Sequence, residues 1–138
     1  MRIEELSVGD WVCAKLAKWE SSDADMTPPL QVKRINGIER HNLYVDLFNP
    51  ESNTIEHSAF VEDLIPIPIT PEILEKNGIS KTYESDEYAV YKGEGFGVTE
   101  YYTELWEFDR HRNRLMIRNV HQLQHALRLA GIEKEIEV

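Results

Sequence analysis

Apolar and polar residues alternate over most of the chain, and the spacing stretches to a clear helical period only near the C-terminus. Val12, Ala14 and Leu16 alternate after the turn chemistry of Gly9-Asp10, which predicts a first strand entered through Leu6-Ser7-Val8. Residues 19–29 have no periodicity, three acids and two prolines, and read as a surface loop. Strand-like runs follow at 30–38, 43–48 and 54–60. Turn signals punctuate them at Asn36-Gly37, His41-Asn42 and Asn49-Pro50-Glu51-Ser52-Asn53. Short strands at this spacing predict a small antiparallel barrel or sheet.

A single helical turn is expected at 61–64. The prolines of Ile65-Pro66-Ile67-Pro68-Ile69 then exclude a central strand and predict an extended connector, the one plausible internal boundary. Thr70 is a good N-cap, Pro71 suits the first helical position, and Asn77-Gly78 stops that helix after about two turns. Strands are expected at 88–92, at 98–108 as one long element, and at 115–117, with a turn at 109–113. A second helix spans 120–130, with Asn119 as N-cap, Gln122 at capping-box spacing and Gly131 at its end. The tail at 132–138 puts three glutamates on one strand face and is either a terminal strand or frayed. The expected class is α+β, mostly antiparallel β. An SH3-like barrel or small sheet covers 1–66, and a hairpin sheet with two short helices covers 67–138, packed on the first part. A sandwich is the competing topology.

Composition narrows the function classes. With 15 Lys and Arg against 25 Asp and Glu, the net charge is −10, which disfavours direct nucleic-acid binding and anionic membranes. One cysteine, Cys13, rules out an intramolecular disulfide framework. No apolar run has membrane-spanning length, and the opening Met1-Arg2-Ile3-Glu4-Glu5-Leu6 carries acids where a signal peptide needs an apolar stretch, so a cytoplasmic protein is expected. The charge is uneven. Residues 72–109 hold three Lys and ten acids (3 − 10 = −7), and residues 110–128 hold five Arg and no acid (+5). These stretches either pair within the fold or leave a basic patch for an acidic ligand.

No motif commits the chain to catalysis. Gly93-Glu94-Gly95-Phe96-Gly97 has the wrong spacing for a phosphate loop, and no helix follows it. His121 and His125 stand four apart on the second helix, but Gln122 replaces the glutamate a zinc protease needs. At 100° per residue the apolar stripe of that helix covers about 240–360°, and the two histidines fall near 100° and 140°, facing away from it. Cys13 has apolar neighbours that do not activate a thiol. No cofactor or metal is expected.

The hairpin near His111 is more informative. A turn centred on that residue pairs Phe108 with Arg114, Trp106 with Met116 and Glu104 with Arg118. Aromatics and arginines then share one face, and Leu105 and Ile117 share the other. Such pairs contribute roughly 0.2–1 kcal/mol each, and the same composition is enriched at protein interfaces. The candidate contact residues are Trp106, Arg114, Arg118, His121 and His125.

Three stretches carry a resemblance: Ile67-Pro68-Ile69-Thr70-Pro71-Glu72-Ile73-Leu74-Glu75-Lys76-Asn77-Gly78-Ile79, His121-Gln122-Leu123-Gln124, and the opening Leu6-Ser7-Val8-Gly9-Asp10-Trp11-Val12. Together they resemble an uncharacterised family of small proteins encoded by phages, prophages and mobile elements of Bacteroides-type bacteria. The opening also resembles the first strand of SH3-like barrels. The resemblance implies an origin and a fold and brings no activity. The expected function is therefore a non-enzymatic module that binds another protein. An acidic decoy imitating nucleic acid is the alternative, and a small hydrolase or metal enzyme comes last. An edge strand in either sheet could also pair with a second copy.

Overall fold

Turn chemistry sets the first strand. In the computed structural model, which describes residues 5–16, 25–36 and 44–138, Gly9 takes φ +94°, a left-handed conformation that favours glycine. The turn is closed by Asp10, fully buried, whose carboxylate accepts from the Ser7 N–H at 2.8 Å. The Gly9 N–H donates to the Val32 carbonyl at 2.7 Å, and the Val32 N–H donates to the Asp10 carbonyl at 2.9 Å. The expected turn at His41-Asn42, residue Gly37 and most of the 19–29 loop lie outside the described residues.

The chain divides into two units, Met1–Ile67 and Pro68–Val138. The first contains β1 (Trp11–Ala14), β2 (Leu30–Ile35), β3 (Tyr44–Asn49), β4 (Thr54–Phe60), a 3-10 turn at Val61–Asp63 and β5 (Leu64–Pro66). The strand order is β4-β3-β2-β1-β5, with every neighbouring pair antiparallel. Because β4 and β5 are the two edges, this is an open sheet: of the two outcomes that the strand spacing allowed, the small sheet and not the closed barrel. Pro66 lies opposite Val12 on the edge strand β5, where a missing N–H is tolerated. Val12, Leu30, Val32, Val45, Leu47 and Leu64 make the core of this unit. Each such side chain contributes about 1.5–3 kcal/mol when fully buried.

The second unit contains α1 (Pro71–Lys76), β6 (Ser80–Glu84), β7 (Tyr88–Gly93), β8 (Phe96–Tyr101), β9 (Leu105–Arg110), β10 (Asn113–Ile117) and α2 (Val120–Leu129). Its five strands form an antiparallel meander in the order β10-β9-β8-β7-β6. Thr70 caps α1 as its sequence predicts, accepting from the Ile73 N–H at 3.2 Å. The Gln122 side chain accepts from the Asn119 N–H at 3.0 Å and the Arg118 N–H at 2.7 Å, closing the start of α2. Gly93-Glu94-Gly95-Phe96 is the tight connection between β7 and β8. Gly95 sits at φ +84°, and the Phe96 ring occupies the space a Cβ on Gly93 would need.

Three features of this unit differ from the sequence reading. β6 was not expected, because all five of its residues are exposed and carry no apolar alternation. The expected long strand at 98–108 is two strands broken at 102–104, where Glu104 adopts φ +68° without glycine or proline to announce the turn. The β9–β10 hairpin turns on His111-Arg112, so Arg114 lies opposite Asp109, Leu115 opposite Phe108 and Ile117 opposite Trp106. That register is one residue from the expected one, and a one-residue slip moves every side chain to the other face. Ile117 therefore joins Trp106 in the core.

One face of the sheet carries Ala89, Tyr91, Val98, Trp106, Phe108 and Ile117, all buried. With Leu74 of α1 and Val120, Leu123 and Leu127 of α2 they make the unit's core. The tail is neither a strand nor frayed: Ile136 is buried, and the Lys76 Nζ donates to the Val138 carbonyl at 2.9 Å. Arg110 donates to the carbonyl of Ala130 at the end of α2, where a cation is favoured by the helix dipole.

Candidate functional site

The other face of the second sheet is the candidate site. Alternation along the strands places Tyr88 and Val90 of β7, Thr99 and Tyr101 of β8, Leu105 and Glu107 of β9, and Arg114 and Met116 of β10 on this outer face. Tyr83 of β6 reaches it by an irregularity. Lys81 pairs with Tyr91, and a regular ladder would then set Tyr83 opposite Ala89, on the core face. A bulge between Lys81 and Tyr83 instead sets Tyr83 opposite Val90. A bulge that re-aims one side chain is a device of sheet edges and binding sites.

The result is a ladder of tyrosines across three strands. The Tyr83 and Tyr88 ring centroids are 5.5 Å apart, and those of Tyr88 and Tyr101 are 6.2 Å apart. Tyr83 remains 52% exposed and Met116 50% exposed on the two edge strands. Tyr88, Tyr101 and Leu105 are half-buried and Thr99 between them is buried, so the open aromatic and apolar surface lies toward the edges of the sheet. Ser85 fixes the start of β7. Its hydroxyl oxygen accepts from the Glu87 N–H at 3.2 Å and the Tyr88 N–H at 3.3 Å.

The electrostatics are lopsided. At the end of the sheet where Tyr83, Tyr88 and Tyr101 lie, Glu84, Asp86, Glu87 and Glu104 are all exposed. The segments 84–88 and 101–105 contain no Lys or Arg, and the exposed Arg118, just past Ile117 on β10, lies at this end two strands from Tyr101. Lys81 pairs with Glu84 at 3.5 Å, and the Tyr102 hydroxyl donates to Glu84 at 3.1 Å. Tyr88 is held above the usual phenol range, first by Tyr83 and then by desolvation, with smaller contributions from Glu87 and Tyr101. Tyr102 is raised by desolvation and then by Glu84. At the opposite end of the sheet the acidic and basic stretches meet: Arg114 lies opposite Asp109, and its Nε is 3.9 Å from Glu107.

The structure does not gather the residues singled out from sequence into one patch. Trp106 is buried on the core face, with its ring 6.1 Å from that of Tyr91. Arg114 is exposed on the outer face. Arg118 is exposed just past β10, with its main chain tied to Gln122 and Ile69. His121 is 2% exposed and so does not face solvent as the helical projection suggested; His125 is half-buried beside it, ring edge to ring face at 5.8 Å. A helix side chain leans toward the N-terminal turn, so a 100° offset in projection does not guarantee exposure at the first turn. Trp106 and His121 are thus accounted for by packing. Tyr83, Tyr88 and Tyr101 carry no local signal in the sequence, because placing them requires β6, its bulge and the break at 102–104.

Burial pushes the Cys13 thiol up, away from nucleophilic character. Among the described residues no three His, Cys, Asp or Glu side chains converge as metal ligands. No helix among them is long and apolar enough to cross a membrane. The acids of 72–109 are spread over α1, both ends of the sheet and its outer face, and do not form a single stripe. No protein-family model, curated protein or solved structure matches the chain.

Proposed function

We propose that the chain is a non-enzymatic protein-interaction module whose contact surface is the outer face of the second sheet, centred on Tyr83, Tyr88, Tyr101, Leu105 and Met116. The observation that carries this reading is the bulge that turns Tyr83 out of the core register and onto the ladder. A large aromatic left half-exposed forgoes burial energy, and an apolar patch rimmed by charge is the usual form of a protein contact. Tyrosine suits that role because its ring gives contact area at low entropy cost and its hydroxyl stays wet.

The first unit supports an SH3-like reading. Four short strands run as a meander, a 3-10 turn follows the fourth, and β5 returns beside β1. The phage and mobile-element origin belongs to the same proposal and rests on the His121-Gln122-Leu123-Gln124 and Ile67–Ile79 motifs.

Photo-crosslinking tests the contact surface. Benzoylphenylalanine is placed at position 83, 116 or, as a control, 134, and the chain is irradiated in extract of its source cells. Discrete heavier adducts at 83 and 116, absent at 134, are expected. No adduct at either position, or the same pattern at all three, overturns the reading.

A further inference from the structure

We infer that the partner of this face is a basic, arginine-bearing protein segment held by the Tyr83–Tyr88–Tyr101 ladder and its acidic rim. The inference rests on the interaction-module reading above and names the chemistry of the partner. Two independent features of the same sheet end converge on it.

The first is the ladder. A guanidinium stacks on the face of a tyrosine within about 6 Å of the ring centroid, and arginine is the cation most often found there. The three rings step across β6, β7 and β8 at 5.5 and 6.2 Å. In an extended segment, side chains on one face recur about every 6.8 Å. Arginines at alternate positions of a segment crossing the strands therefore come to lie over successive rings.

The second is the charge around the rings. Asp86, Glu87 and Glu104 are exposed at that end, while Glu84, opposite Ala89 of the core face, is held by Lys81 and Tyr102. Carboxylates beside a stacked guanidinium accept from its free N–H groups, an interaction roughly twice as strong as a neutral hydrogen bond. The same carboxylates exclude the other macromolecule that stacks on aromatic ladders: single-stranded nucleic acid needs a positive groove along its backbone. The chain's net charge of −10 further steers a cationic partner toward it.

The probe is a fluorescein-labelled hexa-arginine peptide titrated with the full chain by anisotropy in about 50 mM salt, where surface charge is weakly screened. Asp86→Asn with Glu87→Gln removes two charges from the rim, and Glu133→Gln with Glu135→Gln removes two from the tail. The rim pair is expected to weaken binding about tenfold and the tail pair less than about twofold. Tyr83→Leu with Tyr101→Leu keeps apolar surface but removes the ring faces, and is expected to weaken binding about as much as the rim pair. Hexa-lysine is expected to bind several-fold more weakly than hexa-arginine. Equal loss from rim and tail pairs, no effect of the leucine variants, or no hexa-arginine binding overturns the inference. Crosslinks at 83 and 116 without hexa-arginine binding would remove the cationic partner and leave the interaction module standing. Absence of both would remove both.

Discussion

The side-chain amide of Asn77 holds the main chain of Glu137 as a neighbouring strand would: Nδ2 donates to the Glu137 carbonyl at 2.7 Å, and Oδ1 accepts from the Glu137 N–H at 2.8 Å. The same Nδ2 also donates to the Ile73 carbonyl at 2.7 Å, one of the last groups of α1. One residue therefore ends a helix and anchors the tail sixty residues away.

Replacing Asn77 by alanine removes all three bonds, and a net hydrogen bond contributes about 0.5–1.5 kcal/mol. We expect N77A to lower the free energy of unfolding by about 1–3 kcal/mol in urea. Ile136→Ala should cost about 2–4 kcal/mol, because that side chain is buried. Loss of less than about 0.5 kcal/mol in both would mean the tail is not docked in solution.

The hairpin register has a sharp signature. Ile117, buried opposite Trp106, should cost about 2–4 kcal/mol on truncation to alanine. Met116, half-exposed on the outer face, should cost less than about 0.5 kcal/mol. Reversed values would restore the register centred on His111.

Cys13 gives a chemical readout from the first unit. It is buried on β1 opposite Ile65, and desolvation holds its thiol above the usual range. Little thiolate is present near pH 8, so iodoacetamide should label the native chain at least about tenfold more slowly than the chain in urea. Equal rates would mean β1 is open to solvent.

Tyr91 sets an alkaline limit. Its phenol is pushed up from 10.0 to about 12, first by burial and then by Glu100 and other acidic neighbours. Below the unfolded value of 10.0 both states are protonated and this residue adds no pH dependence. Between 10.0 and about 12 the unfolded chain loses the proton and the folded chain keeps it, so stability falls as pH rises. Urea midpoints across that window should fall less steeply for Tyr91→Phe. Parallel slopes would place Tyr91 outside the core.

Much of this fold was legible in the residues. The Thr70-Pro71 start and Asn77-Gly78 stop of α1 are local chemistry, and so are the Asn119–Gln122 box and Gly131 around α2; local chemistry survives folding. Whether the first sheet closes was not legible, since the strand spacing left barrel and small sheet both open and closure depends on which edges meet. The tyrosine face was hidden for a different reason. It is built from a polar strand without alternation, a bulge, and a turn closed by Glu104 at positive φ, and each of these breaks the rule that would have revealed it. Trp106 drew attention as an aromatic among arginines, and a single step in register moved it inside.

Carbene footprinting of the outer face tests the central claim most directly, comparing the chain in buffer with the chain in extract of its source cells. Protection of Tyr83, Tyr101 and Met116 in extract, with Arg112 and Lys134 labelled as in buffer, is the predicted result. Unchanged labelling of all five would contradict the assignment of this surface to a protein partner.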